Sequence, residues 1–188
     1  VVIDPLPLLA HPPSLTTPRL ALRPLELADT EALFAVFSDA EAMRYWSEPP
    51  HATPAATQAI IRKALDARSK GQGLEWAITR RGDDRAVGKI GHWRWQREHS
   101  RSEIGFILRR DLWRQGLASE ALLAAAHFGF DVLRLHSIEA QLDFENVGSM
   151  RTLERVGFVL EGRLRQSYYD GKAYRDTLVY GLLAEELE

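Results

Sequence analysis

Cysteine is absent from the 188 residues, which excludes thiol nucleophiles, acyl-cysteine intermediates, disulfides and cysteine-ligated zinc, and suits a reducing, cytoplasmic setting. No run approaches the roughly 18 apolar residues of a membrane span, so no membrane partner is expected. Neither sign of charge is in excess: 24 Lys+Arg face 26 Asp+Glu, a formal net charge of -2, which argues against a protein that holds nucleic acid by counterion release. The six histidines fall in no H-x-E or H-E-x-x-H spacing, and no metal is expected. What remains is ordinary for a globular chain, 45% hydrophobic and 27% charged, with a length that fits one domain able to bury its own core.

Residues 1–17 are punctuated by proline and carry an early acid rather than a charged n-region, so they read as an extended leader before a single domain over 18–188. Within that domain a strand is expected over 19–25, then Asp29 as the N-cap of a helix carrying Leu33, Phe34 and Phe37. Thr53-Pro54 opens a second helix to about residue 70. Three strands follow over 74–80, 86–96 and 101–108, as an antiparallel meander. A helix over 116–133 leads to a strand over 137–142, and strand, helix, strand implies a parallel pair with a right-handed crossover. A short helix over 146–156 ends at Gly157, and two long strands flank Asp170-Gly171 as a hairpin. Trp93 and Trp95 alternate with His92 and Arg94, which places both indoles on one face of their strand; His92 and His136 read as structural.

The junction that feeds the helix at 116 has the chemistry of an anion site. The first N–H groups of a helix lack intrahelical partners and sit at the positive end of its dipole. Gly116 and Ala118 are small enough for phosphate oxygens to approach the main chain, and Arg114 and Gln115 add donors. A Gly and an Ala before a helix also occur where no phosphate binds, and both readings stand on these residues alone.

Four motifs narrow the choice. They are Glu103-Ile104-Gly105-Phe106, Trp113-Arg114-Gln115-Gly116-Leu117-Ala118-Ser119-Glu120-Ala121, Glu145-Asn146-Val147-Gly148-Ser149, and Gly157-Phe158-Val159-Leu160-Glu161-Gly162-Arg163-Leu164-Arg165. In order and spacing they resemble the GNAT acetyltransferase superfamily, and more narrowly its RimJ/RimL ribosomal-protein branch. The resemblance covers the chain from Thr16 onward. It implies an α+β GNAT fold, a mixed, splayed sheet with helices on both faces, and acetyl-CoA as cosubstrate. It further implies a pantetheine arm along Phe106, Ile107 and Leu108, a pyrophosphate on Arg114, Gln115, Gly116, Leu117, Ala118 and Ser119, Asn146 near the pantetheine amides, and Arg155 toward an outer phosphate. By the same analogy the chain pairs into a homodimer through its long hairpin. Two positions depart from the superfamily: Trp113 stands where Gln or Arg is common, and Leu153 where many members have a tyrosine that protonates the leaving thiolate.

Transfer to an amine needs a neutral nucleophile, a stabilised oxyanion and a proton for the leaving thiolate. Neutralising an α-amine of pKa about 7.8 at pH 7 costs about 1.1 kcal/mol, against about 4.6 kcal/mol for a lysine near 10.4. Glu103 is the candidate base, its bland alternative being a strand-end ion pair. Ser149 is the candidate partner of the thiolate, its alternative being a helix N-terminal serine that satisfies backbone donors. Tyr45 and Trp46, in an aromatic, proline-rich loop, are candidates for the acceptor site, and Tyr168 is a further one that also reads as hairpin packing. The acceptor expected is a protein N-terminal amine such as that of a ribosomal protein. A small-molecule amine, polyamine or antibiotic, is the alternative, and a CoA-binding module without turnover is a rival of another class.

Overall fold

Leu20 and Leu22, one residue apart, are both fully buried, while Ala21 and Arg23 between and after them are half-buried, the period of two that a strand on a helix-covered sheet requires. The computed structural model describes residues 6–187, and the first helix α1 (Leu6–Ala10) and strand β1 (Leu15–Thr16) precede β2 (Leu20–Pro24). There follow α2 (Thr30–Phe37), α3 (Pro54–Ser69), β3 (Leu74–Arg80), β4 (Ala86–Gln96), β5 (Arg101–Leu108), α4 (Leu117–Asp131), β6 (Ser137–Asp143), α5 (Val147–Val156), β7 (Val159–Tyr169) and β8 (Tyr174–Leu183). They form one eight-stranded sheet in the order β1-β2-β3-β4-β5-β6-β8-β7, antiparallel except for the β5/β6 pair. This is the α+β arrangement expected.

The sheet is sandwiched. On one face α4 and α5 supply Leu117, Ala121, Leu122, Ala125 and Leu153 to a core with Leu20, Leu22, Trp76, Ile90 and Ile104; on the other α2 and α3 supply Leu33, Phe37, Ile61 and Ala64 to a smaller core with Ala77 and Ile107. Burial of this kind contributes roughly 25 cal/mol per Å² of apolar surface and is what holds the layers together.

Several local expectations change. The described part of the leader is not simply extended: it forms α1 and β1, Leu9 enters the larger core, and the Pro13 carbonyl accepts the Trp76 indole N–H (2.9 Å). Proline is tolerated in a first helical turn, where its missing N–H costs nothing, so Pro7 does not forbid the helix. Residues 1–5 of that leader lie outside the described residues. Asp29 stands before α2, yet its carboxylate accepts from the Glu26 N–H (3.0 Å) and the Arg23 guanidinium rather than from the helix. Thr53 likewise makes no side-chain cap bond, whereas Asn146 does.

The two tryptophans of β4 do not share a face. Arg94 takes a left-handed φ of 48°, and the β4/β5 register breaks between Trp93 and Gln96. A bulge of this kind inserts a residue and inverts the alternation beyond it. Trp93 therefore lies on the α2/α3 side, 5.8 Å from the Lys89 ammonium, while Trp95 packs against the core under α4.

Candidate active site

β5 and β6 pair only over Arg101↔Ser137, Ser102↔Ile138 and Glu103↔Glu139. Beyond that last rung residues 104–108 and 140–143 have no ladder partners in each other, so the two strands part and leave a V-shaped opening whose walls are main chain. Ile107 and Leu108 bury their side chains in the two cores, and Phe106 is partly buried beside the larger one. Their backbone is what remains for an extended ligand, as in edge pairing.

At the mouth of the opening, Gly116 has φ 76° and caps α4, a left-handed turn that glycine adopts without a Cβ clash. The first bond across the helix start runs from Glu120 N to the Gly116 carbonyl, which leaves the N–H groups of Leu117, Ala118 and Ser119 to an outside acceptor. Trp113, the departure noted above, donates its indole N–H to the Leu108 carbonyl (2.7 Å) and so ties the loop to the end of β5. The Gln115 side-chain amide donates to the Asp111 carbonyl (3.0 Å) and so braces the loop. Arg114 is exposed at φ 60°. Arg19, which sequence reasoning missed, donates to the Gln115 carbonyl (2.8 Å) and pairs with Glu120 (2.6 Å). Burial pushes the Glu120 carboxyl up, but the Thr17 hydroxyl, the Arg19 N–H and its guanidinium outweigh that and hold it below the usual carboxylate range. The positive end of α4 is thereby relieved of its one acidic side chain.

On the second strand of the opening, buried Asp143 ends β6. Its carboxylate accepts the Glu145 N–H (2.7 Å) and the Tyr168 hydroxyl, and its carbonyl accepts the Asn146 N–H (2.9 Å). Asn146 in turn caps α5 by accepting the Ser149 N–H (3.1 Å). Ser149 is half-buried, and its main chain is held by this chain of bonds running back to Tyr168. Burial, then the hydrogen bond to Asp143, push the Tyr168 phenol up, so it stays protonated and engaged. Leu153 is in the core under α4. Arg155, exposed, lies about 9 Å further along the axis of α5 than Ser149.

Glu103 sits at the last rung before the strands part. By register its side chain shares a face with Trp93, Gly105 and Glu139. A Cβ at 105 would overlap the Trp93 indole, which explains why glycine stands in the middle of Glu103-Ile104-Gly105-Phe106. Glu103 accepts from Arg94 (2.8 Å), with its side chain only 12% exposed. Glu139 is paired with Arg101, and Glu75 with the buried Lys89. Glu161 lies over Gly181, the β8 partner of Glu139, where any side chain at 181 would collide with it. Of the loop aromatics, Trp46 packs edge-on to Phe37 (5.8 Å) and is partly committed to the smaller core, whereas half-buried Tyr45 carries the Arg44 guanidinium 5.3 Å from its ring. Trp93 and Arg94 were not read as site residues; the signal was the glycine at 105, which needed a large neighbour to explain it.

The opening between β5 and β6, with free N–H groups at its mouth, fits a long ligand with an amide-bearing arm and a pyrophosphate, which is the shape of acetyl-CoA. Residues 19–159 match the acetyltransferase (GNAT) domain. An uncharacterised N-acetyltransferase of Bacillus subtilis, YoaA, is 34% identical over 171 residues, 91% of this chain and 97% of the relative. The spermidine N(1)-acetyltransferase of Escherichia coli K12 is 27% identical over 157 residues, 84% of this chain and 82% of that protein. A GNAT-family acetyltransferase structure from Bacillus anthracis superimposes with a TM-score of 0.82 at 29% identity, covering 93% of this chain and all of that one. The parted strands thus have their counterpart in sequence and in fold, and the chain belongs to the GNAT acetyltransferase family as an acetyl-CoA-dependent N-acetyltransferase.

Proposed function

We propose that the acceptor is a small molecule bearing a primary amine, which enters on the α2/α3 face of the sheet and meets the thioester where β5 and β6 part. The observation that carries this reading is the position of Glu103: an acidic side chain 12% exposed, at the last rung before the opening, beside the flat wall of Trp93. A carboxylate there orients the amine and takes its proton. The main-chain N–H groups at the parting of β5 supply the oxyanion contact, and Ser149, its main chain held through Asn146 and Asp143, supplies a hydroxyl for the leaving thiolate. The spermidine enzyme among the relatives supports a small-molecule acceptor over the protein N-terminus that the RimJ/RimL motifs suggest.

A protein N-terminus is the second reading, favoured by the low cost of neutralising an α-amine. Thiol release from acetyl-CoA separates the two. The pure protein is given alkylamines, diamines, spermidine, N-terminal peptides and lysine peptides. Turnover of a small amine with kcat/KM at least tenfold above every peptide supports the first reading. Faster turnover of N-terminal peptides replaces it with the second, and binding of acetyl-CoA without transfer to any amine removes both.

A further inference from the structure

Arg94 is delivered to the acceptor face by a distortion of the backbone. In an undistorted β4 it would point with His92 toward α4, and Trp95 would follow Trp93. The left-handed residue at 94 exchanges the two: Trp95 enters the larger core and the Arg94 guanidinium reaches Glu103. A non-glycine residue holds this conformation at a cost of about 1 kcal/mol, and bulges commonly serve to re-aim a side chain.

The cations on this face differ in how firmly they are held. Lys89 is itself buried against Glu75, with side chains 8% and 14% exposed, and cannot leave without stranding a charge. The Arg94 side chain is 67% exposed while the Glu103 side chain beneath it is 12% exposed, so it covers Glu103 from the solvent side and can swing away. Along β3, β5 and β6 on this face Glu75 is paired with Lys89, Glu103 with Arg94 and Glu139 with Arg101, whereas Asp143 at the end of β6 is engaged by the Tyr168 hydroxyl and the Glu145 N–H.

We propose that Arg94 is a specificity-determining residue that restricts the acceptor to molecules with a single amine. The inference rests on Glu103 being the group that receives the amine, as proposed above. The incoming nitrogen takes the place of the guanidinium on Glu103, and the displaced cation remains tethered at the rim. There it repels any second ammonium on the same molecule, while a neutral tail is unaffected. Proximity of the guanidinium also favours the neutral form of the reacting amine.

The test compares n-butylamine with 1,4-diaminobutane, which share a skeleton and differ by one ammonium, using the full chain and thiol release. Wild type is expected to favour butylamine by about tenfold or more in kcat/KM. Arg94→Asn, whose side chain tolerates the left-handed conformation, is expected to shrink that ratio at least fivefold, and Arg94→Lys, which keeps the charge, to restore it. Damage to folding lowers both rates and leaves the ratio alone, so the ratio reports the charge. A ratio unchanged within twofold in Arg94→Asn, or equal in the Asn and Lys variants, or a wild-type preference for the diamine, overturns the inference and leaves the transfer reading intact. Acetyl-CoA binding without transfer to either amine or to any other amine of the wider panel overturns the reading on which it rests.

Discussion

Glu103 and Ser149 were legible in the sequence because each stands inside a motif whose neighbours fix it: Glu103 by the glycine two residues on, Ser149 by the asparagine three residues before. Their surroundings were not legible, because an ion pair such as Arg94–Glu103 joins two strands and depends on a register that no local pattern states. Replacing Ser149 by alanine should lower kcat by about ten- to hundredfold with little change in the KM for acetyl-CoA, since in the proposed role the hydroxyl acts only as charge develops on sulfur. Glu103→Gln should slow strongly basic amines more than weakly basic ones, because the neutralisation cost near pH 7 rises by about 1.4 kcal/mol for each unit of amine pKa. Steady-state rates on a series of amines of graded basicity check both. Wild-type kcat in Ser149→Ala, or an equal loss across the series in Glu103→Gln, would mean that the cleft acts by positioning alone.

Among the elements, α4 shows how far a sequence reading of a helix start reaches. Small residues at 116 and 118 and the free N–H groups after them follow from the motif and from helix geometry. The brace does not: Arg19 lies nearly a hundred residues away, and only the fold brings it onto Glu120 and the Gln115 carbonyl. Ala118→Glu places a new carboxylate beside the N–H groups at the start of α4, the proposed pyrophosphate site, and should weaken acetyl-CoA about a hundredfold, roughly 2.7 kcal/mol, with the fold retained. Arg19→Ala should weaken it by a smaller factor, about five, by leaving Glu120 uncompensated at the same helix end. Calorimetric titration of acetyl-CoA into each variant reads both effects, and unchanged affinity in Ala118→Glu would move the phosphates elsewhere. The bulge in β4 marks the opposite limit. Arginine has no special preference for a left-handed φ, so nothing in His92-Trp93-Arg94-Trp95 announces that the alternation stops there.

Across the whole molecule, periodicity together with caps and turns, such as Gly157 and Asp170-Gly171, recovered the order of strands and helices from residue 19 onward. It missed the attachment of the leader, where Leu9 enters the larger core and the Pro13 carbonyl accepts from Trp76, far along the chain. The same centre holds His92, fully buried between sheet and helix. Its Nδ1 meets the Ser102 hydroxyl (2.9 Å), its Nε2 donates to the Ala125 carbonyl (3.0 Å), and Trp76 lies edge-on at 6.3 Å. Burial lowers its pKa from the ordinary 6.5 to about 4, against a smaller opposing effect of the Ala125 carbonyl. Between those two values the unfolded chain holds the proton and the folded chain does not, so folding stability rises with pH through this window and is lost as pH falls. At pH 5 the loss from this group relative to pH 7 is on the order of 2 kcal/mol, at about 1.36 kcal/mol for each unit. Urea unfolding of the wild type at pH 7 and pH 5 should show that loss together with contributions from other groups. His92→Gln, less stable at pH 7 through imperfect packing, should lose less between the two, the difference between the proteins isolating His92. Equal losses in both proteins would mean that the imidazole is protonated within the fold, and that the link between sheet and α4 is an ionised one.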